Sequence, residues 1–93
     1  MANFQRGDLK LTYSWRAAAE HDNSRIIGFP DNILLDRHEG YEVLPFLNRY
    51  MTEKQWTTQS TLNRLEDALR DKVPGTIRSH SNIKKWLNDN FSA

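Results

Sequence analysis

The residues of this 93-residue chain best suited to chemistry stand in "RSHSNIKKW", where Arg78, Ser79, His80, Lys84 and Lys85 gather at the start of a predicted helix. A helix N-terminus carries free backbone N–H groups and the positive end of the dipole, so it can hold a phosphate or another anion. Lys84 and Lys85 fall in or near the first turn, where positive charge opposes the dipole. A residue set against its local preference can mark a functional site. The bland alternative is a solvated polar face beside Trp86.

Other chemistries are poorly supplied. Cysteine is absent, which removes disulfides, thiolate metal sites and a cysteine nucleophile together, and fits a reducing cytoplasm. The histidines stand at 21, 38 and 80 with no i, i+4 pair and no HExxH, so no metal site is expected. "RSHS" sets serine beside histidine, where adjacent side chains seldom align as nucleophile and base. Asp36 and Glu39 have the spacing of a capping box, and Glu66 and Arg70 that of a helical ion pair. No phosphate-loop pattern occurs among the four glycines. These residues predict neither an enzyme nor a cofactor.

A second candidate is a partner surface. Tyr41, Phe46, Tyr50, Met51 and Trp56 fall within sixteen residues. Val43, Leu44 and Leu47 already supply a core stripe there, so the surplus aromatic and sulfur surface predicts a contact face for another protein or a second copy. Tyr, Trp and Met are enriched in such faces. The expectation is a small non-catalytic cytoplasmic interaction module. The alternative is a nucleic-acid-associated protein that contacts phosphates through Arg78, Ser79, His80, Lys84 and Lys85. Net charge is +1, but it is uneven: residues 1–69 carry eight Lys/Arg against ten Asp/Glu, and residues 70–93 carry five against two.

The elements that must position these residues follow from periodicity. Leu9, Leu11, Tyr13 and Trp15 alternate with Lys10, Thr12, Ser14 and Arg16, the period of a strand with one buried face. "RIIGF" reads as a second strand, stopped by Pro30. Val43, Leu44, Leu47, Tyr50 and Met51 form a helical stripe, which either kinks at Pro45 or begins near it. Thr57 or Thr58 caps a helix carrying Leu62, Leu65, Ala68 and Leu69, ended by Pro74-Gly75. Ser79 or Ser81 caps a last helix with Ile83, Trp86 and Leu87. About eight residues separate the last two helices, too many for the 3–4-residue turn of a helix–turn–helix.

The fold expected is α+β in one domain, residues 1–93: an N-terminal two-stranded β-ribbon packed on about three α-helices. No apolar run reaches the ~18 residues of a membrane helix, and "MANFQRGDLK" lacks the apolar region of a secretory signal. The order of elements and the cysteine-free composition are similar to those of small accessory proteins of bacteria and their phages, without a diagnostic motif.

Overall fold

The computed structural model of the chain describes residues 3–15 and 28–92. Among these residues there are three α-helices and no β-strand. The expected β-ribbon is therefore corrected: the described chain is essentially all-helical, not α+β. The alternation at Leu9–Trp15 is real, since Leu9, Leu11, Tyr13 and Trp15 are half-buried and Lys10, Thr12 and Ser14 exposed. Period 2 reports an extended chain with one covered face, and a helical layer can cover that face as well as a second strand can. Residues 25–27 of the expected second strand lie outside the described residues.

Helix α1 spans Gly40–Lys54, with Glu39 as its N-cap; the Glu39 carboxylate accepts from the Tyr41 N–H. Asp36 is not the partner in a capping box. It closes the preceding turn by accepting from the His38 N–H at 2.9 Å. Pro45 lies inside α1 without ending it. An interior proline costs about 3 kcal/mol, whereas each fully buried large apolar side chain contributes roughly 1.5–3 kcal/mol. Val43, Phe46, Leu47, Tyr50 and Met51 are all buried from this one helix, so packing outweighs the defect. The helix ends on Gln55 in the left-handed conformation (φ 61°), with the Trp56 N–H bonded back to the Met51 carbonyl.

Helix α2 runs over Gln59–Asp67 behind its N-cap Thr58, then widens into a π-type turn at Ala68–Lys72. The Arg37 guanidinium closes that turn by donating to the carbonyls of Leu69, Val73, Pro74 and Ile77, at 2.5 to 3.3 Å. Helix α3 spans His80–Asn90 with Ser79 as N-cap. Leu62, Leu65, Leu69, Ile83 and Leu87 join the α1 residues in one buried cluster.

Residues 3–15 form a strap across the helices, held mainly by hydrogen bonds to side chains. Phe4 and Asn48 bond reciprocally, N–H to Oδ1 and Nδ2–H to carbonyl. Ser14 bridges the entry to α1, donating to the His38 carbonyl and accepting from the Gly40 N–H, both at 2.7 Å. At the centre is Glu66, fully buried in α2. Its carboxylate accepts from the N–H groups of Lys10 and Leu11, the Tyr13 hydroxyl and the Asn63 amide. The expected Glu66–Arg70 pairing is replaced. Arg70 instead lies over the Tyr13 ring and donates to the carbonyls of Thr12 and Arg37. Burial and the Glu66 carboxylate push the Tyr13 hydroxyl pKa upward, which keeps it a donor. No helix among the described residues is long and apolar enough to cross a membrane.

Candidate functional site

The start of α3 does not offer the free donors that an anion needs. The His80 N–H is bonded to the Ile33 carbonyl and the Ser81 N–H to the Pro30 carbonyl. The Asn82 N–H bonds the Ser79 hydroxyl, and the Ile83 N–H the Ser79 carbonyl. The loop at residues 30–33 thus caps the helix where a phosphate would sit. His80 is fully buried, and Ser79 nearly so. Lys84 pairs with Glu53 at 2.8 Å and lies over the Phe29 ring. Arg78 and Lys85 stay exposed.

His80 has a structural role. Arg49 can only donate, so its contact with His80 Nδ1 at 3.2 Å makes that nitrogen the acceptor and puts the proton on Nε2. Nε2 is buried with no hydrogen-bond partner among the described residues. Burial, and secondarily the Arg49 charge, lower the His80 pKa to about 4. The folded protein therefore refuses a proton that the unfolded chain takes near its ordinary value of ~6.5. Stability from this site is complete above pH ~6.5, declines as pH falls toward 4, and changes no further below that. Denaturation of wild type and His80→Gln at pH 7 and pH 4.5 should show an extra acid loss of about 1–3 kcal/mol in wild type alone. Equal losses would show that His80 is not the responsive group.

The aromatic surface expected on α1 is corrected in the same way. Phe46, Tyr50 and Met51 have no exposed surface. Phe46 and Tyr50 stack on each other, and both meet Phe29 edge-on. The Tyr50 hydroxyl donates to Asn88, its pKa pushed up to about 12 by burial and by Glu53. Trp56 is half-buried between Tyr50 and Phe91. Small domains have little interior, so the neighbouring loop and the chain end draw these rings inward. Of the five residues, Tyr41 and Trp56 keep part of their surface exposed.

Tyr41 lies in a feature the sequence reading missed, a cleft of about 370 Å³ between the strap and the first turns of α1. Trp15, Tyr41, Leu44 and Pro45 form its apolar walls, with Gln5 and Arg6 at the strap side. The Trp15 and Tyr41 rings meet edge-on at 5.1 Å, and the Arg6 guanidinium carbon lies 4.2 Å from the Trp15 ring centre. Gly40 makes this possible, because any Cβ there would overlap the Trp15 indole. A signal was present: Gly40 and Pro45, both poor helix formers, stand five residues apart at the start of α1. Such local conflicts are expected at functional sites.

A cleft of this size lies at the small end of ligand pockets (~300–1,000 Å³) and suits a short apolar segment better than a large cofactor. A more polar depression near Leu34, Asp36, His38, Glu42 and Arg78 contains Arg37 and Arg70, whose guanidinium groups already bond backbone carbonyls. Ile33 and Leu34 are exposed (37% and 55%), a two-residue patch too small to define an interface alone. Among the described residues, no three metal-binding side chains converge. No protein-family model matches the chain, and comparisons with curated proteins and with solved structures return no match.

Proposed function

We propose that this protein is a small non-catalytic interaction module whose contact site is the Trp15–Tyr41 cleft, with another protein or a second copy as partner. The observation that supports this reading most is a concave apolar surface kept open by sequence choices unfavourable to the helix that bears it. Gly40 gives up roughly 1 kcal/mol of helix propensity relative to alanine, and in return admits the Trp15 ring against the helix. A cysteine-free chain suits a reducing compartment, and the cytoplasm is the location that fits best.

Selection of peptides from a random display library against the folded protein tests the reading. Enriched peptides should lose about tenfold or more in affinity to Tyr41→Ala and Leu44→Asp, the scale of truncating an interface anchor. Both variants must retain native amide dispersion by NMR. Absence of enrichment, or enriched peptides indifferent to both substitutions, would remove the cleft as the contact site.

A further inference from the structure

We propose that the cleft selects a peptide segment in which an apolar side chain stands next to a carboxylate, and that Arg6 reads the acid. The inference rests on the interaction reading above and adds the chemistry of the occupant. Among the described residues, Arg6 is the only charged one lining the cleft. It sits 4.2 Å from the Trp15 ring centre and 6.0 Å from that of Tyr41. A guanidinium over an aromatic face keeps its N–H groups in its own plane, where they present a fork that matches a carboxylate.

Among the described residues no carboxylate pairs with Arg6. The described acids that neighbour the cleft's lining residues in sequence are engaged elsewhere. Asp8 accepts from the Gln5 N–H within its own turn, Glu39 from the Tyr41 N–H, and Glu42 from the Asp36 N–H. The turn that bears Arg6 is itself anchored, because the Asp8 carbonyl accepts from Gln59 and Asn63 of α2. The cation is thus held at an apolar cleft without a counter-ion among the described residues, and charge complementarity asks the partner to supply one.

The backbone adds an acceptor at the same place. Pro45 has no N–H, so the Tyr41 carbonyl lacks the helical donor four residues on. An extended segment lying along this wall can present a backbone N–H to it. An acid for Arg6, an apolar side chain against Trp15, Leu44 and Pro45, and a main-chain N–H for Tyr41 together describe a short acidic-apolar peptide.

Three capped peptides test the proposal: an acidic one with aspartates flanking a phenylalanine, and two analogues with asparagine or lysine in place of the aspartates. The readout is the indole N–H resonance of Trp15 in ¹⁵N–¹H correlation spectra, titrated at low and at high salt. The acidic peptide should bind about 3- to 5-fold more tightly than the asparagine analogue at low salt, with the gap narrowing as salt rises, as for a partly exposed ion pair. Arg6→Gln should erase the preference, and Arg6→Glu should turn it toward the lysine peptide. Both substitute an exposed side chain, and unchanged amide spectra verify the fold.

Equal affinity for all three peptides overturns the acid preference and leaves the interaction reading standing. A preference that survives Arg6→Gln overturns the role of Arg6. No perturbation of Trp15 by any peptide sinks both the inference and the reading it rests on.

Discussion

Replacing Glu66 with alanine is expected to lower stability by about 3–4 kcal/mol and to free the N-terminal strap from the helices. Each carboxylate oxygen accepts twice, one from Leu11 N–H and Tyr13 hydroxyl, the other from Lys10 N–H and Asn63 amide. Hydrogen bonds to a charged acceptor contribute roughly 1.5–3 kcal/mol each. The full sum is not expected, because a released strap can hydrate its own donors. Glu66→Gln keeps the shape and one acceptor oxygen but turns an N–H₂ toward donors, so a loss of about 1–2 kcal/mol is expected. Urea denaturation gives the stability, and native-state hydrogen exchange locates the change. The Lys10 and Leu11 amides should lose protection before those of α1, α2 and α3. Because the strap supplies Trp15 and Arg6, the same variant should also lose binding at the cleft. Wild-type stability in Glu66→Ala would mean that the strap is held by its apolar contacts alone.

Phe46→Ala should remove about 3–5 kcal/mol, the range for truncating a fully buried phenylalanine. Domains of this kind hold ~5–15 kcal/mol in total, so the variant should be marginal at room temperature, and Phe46→Asp should not fold. Tyr41→Ala, on the same helix, should change stability by less than about 1 kcal/mol, since its ring lines an open cleft. Denaturation midpoints of the two variants, measured with a check that the slope is unchanged, separate core from contact surface directly. A Phe46→Ala midpoint close to wild type would return that ring to the surface and restore the broad aromatic face expected from sequence.

Much of the helical layer is legible in the chain. The apolar spacings at residues 62–69 and 83–87 place two helices, and Thr58 and Ser79 cap them as their side chains allow. Cap chemistry and helical period are local, so a single sequence carries them. The boundary at α1 was harder, because Gly40 and Pro45 obey tertiary demands: the first yields to Trp15, twenty-five positions earlier in the chain, and the second is outweighed by five buried neighbours.

The partners were not legible. The alternation of Leu9, Leu11, Tyr13 and Trp15 determines that this segment is extended with one covered face, and says nothing about whether a strand or a helix layer covers it. The donors of that segment go to a carboxylate more than fifty residues away. The basic residues at 78–85 do mark a helix start, yet whether its N–H groups are free depends on the loop at 30–33 folding back over them. By itself the sequence determined the local elements, their caps and the amount of aromatic surface to be hidden. Only the tertiary structure decided which rings were core and which face stayed open, because burial and hydrogen-bond satisfaction are set by contacts between distant segments that no local pattern encodes.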